Sequence, residues 1–145
     1  MKKTNFYKDL LFGQSYEKEA LKYFKFKEFK ISEGNFKPYD IELIVKDDKK
    51  MFIEVKCDRM AHRTGNIAIE YECNNIPSGI NTTQAHKWIY FIEESKEVFI
   101  IPVKKLRSLI NGCRQVSGGD GFRSKMYLLP KNTLGEFNKS YIEKN

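Results

Sequence analysis

The stretch YDIELIVKDDKKMFIEVKC, residues 39–57, holds two alternating apolar runs separated by the five charged residues KDDKK. Successive side chains of a strand point to opposite faces, so each run reads as a strand and the pair as a hairpin. In the second run, Met51, Ile53, Val55 and Cys57 share one face, while Phe52, Glu54 and Lys56 share the other. In the first, Tyr39, Ile41, Leu43 and Val45 stand opposite Asp40, Glu42 and Ile44. Turn length decides which side chains meet. A two-residue turn at Asp47-Asp48 sets Asp40 across from Val55, on the wrong face. A three- or five-residue turn sets it across from Glu54 or Lys56. Asp-Asp without glycine suits the two-residue primed turns poorly, so an odd-length turn is expected.

Outward from the hairpin, residues 5–25 read as a helix with Leu10, Gly13, Glu17, Ala20, Leu21 and Phe24 on one stripe. Residues 26–36 read as an extended stretch or first strand ending near Gly34-Asn35. CDRMAHRTGN reads as a polar loop, 67–73 as a third alternating strand, and NNIPSG as a turn. Thr82 or Thr83 is expected to cap a short helix through Lys87. The apolar runs 88–94 and 98–102 read as central strands, and Val103, Leu106 and Ile110 define a helix over 103–110. NGCRQVSGGDGFRSK reads as a glycine-rich basic loop, MYLLP as a last strand, and the end as a modest helix. The expected class is α/β: a single domain over residues 1–145 with a mixed central β-sheet flanked by α-helices.

The composition fits that class. An apolar fraction of 41% argues against disorder, and 145 residues suffice for one core. No apolar run reaches the roughly 18–20 residues of a membrane helix, and no signal peptide is visible, so no membrane is expected as a partner and the cytoplasm is the expected compartment. Cys57, Cys73 and Cys113 have neither disulfide-framework nor zinc spacing and read as reduced thiols. A net charge of +7, crowded into Lys22–Lys30, Lys46–Arg63 and Lys104–Lys125, points to a polyanion such as DNA or RNA, or else to a lysine-solvated surface.

Two carboxylates sit where carboxylates are expensive. Glu17 lies mid-stripe on the first helix, which is costly unless a cation meets it: a lysine, a metal ion or a catalytic lysine. Asp40, in the odd register, converges with Glu54 and Lys56 on one patch that Glu17 can reach. Such a patch suits phosphodiester hydrolysis. Carboxylates hold Mg²⁺ through hard oxygen ligands, the metal activates water, and the lysine steadies developing negative charge. Arg59, His62, Arg63, Arg107, Arg114, Arg123 and Lys125 are candidate phosphate contacts, which position rather than specify; His62 reads equally as a solvated loop residue.

Pro38-Tyr39-Asp40 followed by Ile53-Glu54-Val55-Lys56 resembles the signature of the PD-(D/E)XK nuclease superfamily, which holds restriction endonucleases and Holliday-junction resolvases. Glu17 resembles the acidic ligand many members carry on the first helix, and Glu70 their additional acidic or glutamine position. PSGINTTQAHKWIYF, FIIPVKKLRSLI and MYLLPKNTL resemble stretches of phage and bacterial members, with His86 where an acidic residue is expected. The resemblance implies a restriction-endonuclease-like fold in a bacterial cell or phage-infected host. It implies a Mg²⁺-dependent DNA endonuclease (Mn²⁺ substituting) with Asp40, Glu54, Lys56, Glu17 and Glu70 catalytic and Glu17, Asp40 and Glu54 as metal ligands. The small chain has little room for a separate recognition module, so it is expected to act as a homodimer or higher oligomer, to read DNA structure such as junctions and branches, or to borrow specificity from a partner. The other readings are a nucleic-acid-binding module that does not cut, an RNA-directed nuclease, and a basic α/β protein whose strand acids only make salt bridges.

Overall fold

The computed structural model describes residues 16–34, 38–119, 121 and 123–139. Within these, residues 16–20 form the helical segment α1, which tightens into a 3-10 turn at Leu21–Tyr23 and ends where Phe24 turns extended. The expected helix before residue 16, with Leu10 and Gly13, lies outside the described residues. There follow β1 (Glu28–Ile31), β2 (Ile41–Ile44), β3 (Lys50–Cys57), α2 (Ala61–Thr64), β4 (Asn66–Cys73) and β5 (Ile76–Pro77). The remainder are β6 (Lys87–Ile92), β7 (Glu97–Pro102), α3 (Val103–Leu109), β8 (Arg114–Gly118), β9 (Ser124–Pro130) and β10 (Asn138–Lys139).

The chain is mixed α/β, as its patterning requires, but its strands divide between two sheets. The six-stranded sheet runs β1-β2-β3-β6-β7-β10, and the four-stranded sheet runs β5-β4-β9-β8. Only β3 and β6 pair in parallel within the larger sheet, because the chain leaves after β3, builds half of the smaller sheet and returns. β6 and β7 are apolar on both faces because both faces are covered. Trp88, Tyr90, Ile92, Phe99 and Ile101 pack with Ile67, Ile69, Leu129 and Leu106 on one side. Ile89, Phe91, Val98 and Ile100 pack with Tyr16, Ala20, Ile41, Leu43 and Ile53 on the other.

Four local expectations are corrected. The loop after β3 contains α2, started by Asp58, whose Oδ1 accepts the Met60 and Ala61 N–H groups, each at 2.9 Å. Gly65, at φ +76°, stops that helix after one turn. No helix runs from Thr82 to Lys87: a 3-10 turn forms earlier, at Gly79–Asn81. Residues 84 and 86 are drawn onto the sheet by Gln84 N–H to Pro38 O and His86 N–H to Phe52 O. The glycine-rich segment is not all loop but contains β8, held to β9 by five paired residues. Where the C-terminal helix is expected, residues 131–139 form 3-10 turns at Lys131–Thr133 and Gly135–Phe137 and then β10, which pairs with β7; the rest of that expectation lies outside the described residues.

Candidate functional site

The hairpin turn is three residues long. Val45 N–H donates to Lys49 O at 2.8 Å, closing a loop of Lys46, Asp47 and Asp48. Asp47 and Asp48 both take positive φ, 63° and 56°, a region aspartate enters more readily than most residues. Ile44 then pairs with Lys50, Leu43 with Met51 and Ile41 with Ile53. Continued by one residue, this register sets Asp40 opposite Glu54, as the odd turn requires.

At that point the ladder changes character. Asp40 N–H donates to Ile53 O at 2.9 Å, the residue that Ile41 already faces. The Asp40 side chain takes the next bond: its Oδ2 accepts the Val55 N–H at 2.7 Å. A carboxylate thus stands where the backbone of a longer β2 would otherwise be. It lies between Glu54 and Lys56, on the open flank of β3.

Glu17 reaches the same notch from α1, whose Tyr16 and Ala20 are anchored in the core. Tyr16, Glu17, Asp40, Glu54, Val55, Lys56 and Cys57 line a cavity of about 230 Å³. Burial, then the charges of Asp40 and Glu54, push the Glu17 carboxyl up to about 7. The basic group on hand is Lys56, whose Nζ lies 3.1 Å from Glu54 Oε2 and 5.3 Å from the centre of the Trp88 ring. The neighbouring thiol of Cys57 is pushed up by burial, with the Tyr16 hydroxyl pulling the other way, so it stays protonated at neutral pH.

A second cavity, of about 580 Å³, shares Asp40, Glu54 and Lys56 and continues past Glu70 to Ser78, Gly79, Thr82 and Thr83. Glu70 therefore faces the site from the smaller sheet. Its aim is set locally. Pairing of β4 with β9 slips between Glu70 and Glu72, a bulge that turns the strand. Ser78 Oγ donates to Glu70 Oε2 at 3.0 Å, and Ser78 N–H donates to Tyr71 O at 3.0 Å. Gly79, at φ +51°, lies so close that a Cβ there would fall 2.1 Å from Glu70 O. Sequence reading missed Ser78; the small-residue turn PSG was its signal.

The basic residues are not gathered in the same way. Arg107 is exposed, and its Nη2 donates to Ile80 O at 3.4 Å and Thr83 O at 3.5 Å. Lys125 pairs with Glu72 at 3.0 Å, and Arg63 Nη2 lies 3.2 Å from Met60 Sδ. Arg59, His62 and Arg63 are exposed around α2, and Arg114 and Arg123 are exposed on or beside the β8–β9 hairpin. His86 has a structural task. Its Nδ1 accepts the Phe52 N–H at 2.9 Å and its ring stacks on Phe52, which stacks in turn on Tyr39. It buttresses the residue two positions before Glu54.

The donor chemistry of Glu17, Asp40 and Glu54, all hard oxygens under mutual repulsion, fits a divalent cation such as Mg²⁺. Among the described residues no three His, Cys, Asp or Glu side chains already form a closed coordination shell, so these three would have to draw together on an ion to hold it. No family model, curated protein or solved structure matches this chain.

Proposed function

We propose that this chain is a Mg²⁺-dependent endonuclease that hydrolyses phosphodiester bonds in DNA, built on the PD-(D/E)XK pattern its sequence resembles. The observation that carries the proposal is that Glu17, Asp40, Glu54 and Lys56 line one cavity, with Glu17 made reluctant to ionise by burial and then by the other two acids. Carboxylates held at that cost are explained by a cation that repays the repulsion.

Glu17, Asp40 and Glu54 would hold the metal, with Asp40 fixed in place by its bond from Val55 N–H. A bound Mg²⁺ supplies Lewis acidity and lowers the pKa of water beside the scissile phosphate. Lys56, rigid on β3 and stacked over Trp88, presents its ammonium to the attacking water or to the charge that develops on the phosphate. Glu70, steadied by Ser78, orients water or substrate from the opposite wall. The basic surface draws in the polyanion, with Arg59, His62, Arg63, Arg107, Arg114, Arg123 and Lys125 as exposed contacts.

The experiment incubates the protein with Mg²⁺ or Mn²⁺ and labelled duplex, branched and single-stranded DNA and RNA. Internal cleavage of a DNA substrate supports the proposal, and cleavage confined to RNA replaces its substrate. A second reading, a nucleic-acid-binding module that does not cut, draws on the lack of a closed coordination shell among the described residues. Tight binding without cleavage in either metal would favour it.

A further inference from the structure

Among the described residues β1 is a terminal strand of the six-stranded sheet, and its hydrogen-bonding pattern fixes which groups it offers to a newcomer. Glu28 pairs with Ile44 and Lys30 with Glu42, and in the same register Ser32 N–H donates to Asp40 O at 2.8 Å. The even-numbered residues therefore turn their backbone groups toward β2, and Phe29 and Ile31 turn theirs to the open edge. The Phe29 side chain is 51% exposed although it stacks edge-on against Phe26 at 5.7 Å. Glu28 and Lys30, on either side of it, are exposed and have no ion-pair partner among the described residues.

We infer that β1 is a self-complementary dimerisation edge whose partner is a second copy of this chain, joined antiparallel about a two-fold axis through Phe29. With outward groups on Phe29 and Ile31, only registers that pair odd residues with odd residues form hydrogen bonds. Centring on Phe29 lets the two copies of that residue exchange both N–H···O bonds and covers their exposed rings. It also sets Glu28 opposite Lys30 of the second copy on each side, in the close non-hydrogen-bonded positions. Sliding one step in one direction places Lys30 against Lys30, and one step in the other places Glu28 against Glu28. Charge therefore selects a single register. The other sheet's edge strand β8 carries one charged residue, Arg114, and has no such symmetry.

The inference goes beyond the nuclease reading and does not depend on it. A short edge pairing buries less than a standard interface, so a dimer that forms in the micromolar range is expected. The test is sedimentation equilibrium of the full chain up to high micromolar concentration, looking for twice the 17.1 kDa chain mass. Glu28→Lys and Lys30→Glu should each weaken the dimer by about tenfold or more, since each turns two favourable pairs into two like-charge pairs. Mixing the two variants should restore association, as a heterodimer with both pairs complementary, and this also shows that both variants are folded. Phe29→Pro, which removes an outward N–H and the exposed ring but no bond of the β1–β2 ladder, should yield a monomer with β1 still on the sheet. A wild-type protein that stays monomeric would overturn the inference. So would a dimer indifferent to the single reversals, or a mixture that associates no better than its components.

Discussion

The Asp40 carboxylate accepts the Val55 N–H at 2.7 Å, so one side chain both ends the β2–β3 ladder and opens the cavity beside Glu54 and Lys56. Structure and chemistry load the same residue there, and substitution separates the two. Asp40→Asn keeps an acceptor for Val55 and should leave thermal stability nearly unchanged while removing Mg²⁺-dependent cleavage. Asp40→Ala also orphans a half-buried N–H and should cost about 1–3 kcal/mol, read as a shift in the urea midpoint.

Glu17 sets the pH response. Its carboxyl is raised from 4.5 to about 7, first by burial and then by Asp40 and Glu54, so the native state holds this proton more tightly than the unfolded chain does. The contribution to stability is full below pH 4.5 and is lost as pH rises through about 7. Metal binding needs the ionised form, so Mg²⁺ affinity should rise across that same upper limit as stability falls. Titration calorimetry and melting curves at matched pH measure both trends. Glu17→Gln should flatten both.

The Gly79 position is a steric test of how Glu70 is held. Gly79→Ala adds a Cβ within 2.1 Å of Glu70 O at a positive φ, and should destabilise the fold by about 2 kcal/mol or more. Ser78→Ala removes only the bond to Glu70 Oε2 and should cost about 1 kcal/mol or less. If Glu70 acts in the site, Ser78→Ala should lower kcat with KM little changed, and Ser78→Thr should restore it.

Asp47 carries the backbone conformation that sets the hairpin parity. At φ 63° it should welcome glycine, and Asp47→Gly should stabilise by about 0.5–1 kcal/mol without changing activity. Replacing Asp47-Asp48 by Asn-Gly at unchanged length should instead favour a two-residue turn that pairs Lys46 with Lys49 and sets Asp40 opposite Val55. Proton exchange would then show a re-registered hairpin, and cleavage would be lost.

The hairpin and its acids were legible because period-two alternation and turn parity are local properties. Asp40, Glu54 and Lys56 follow from them once the turn is odd. Glu17 was visible as a charge on an apolar stripe. The four-stranded sheet was only half legible, because β8 offers one apolar side chain, Val116, as its signal. The bulge that aims Glu70 arises from pairing with β9, more than fifty residues onward, and no neighbouring residue announces it. Nothing in its helix indicates that Arg107 would also find the Ile80 and Thr83 carbonyls. α2 was visible in retrospect: an aspartate three residues before Ala61 and a glycine after Thr64 are ordinary start and stop signals.

The most direct test of the central claim is the rate of Mg²⁺-dependent cleavage of labelled DNA by Lys56→Ala beside the parent chain, with DNA binding measured on the same samples. Removing the ammonium that meets the developing charge should lower the cleavage rate by about a hundredfold or more while binding changes by only a few-fold. Equal rates for parent and variant would contradict the assignment of this cavity as the catalytic centre.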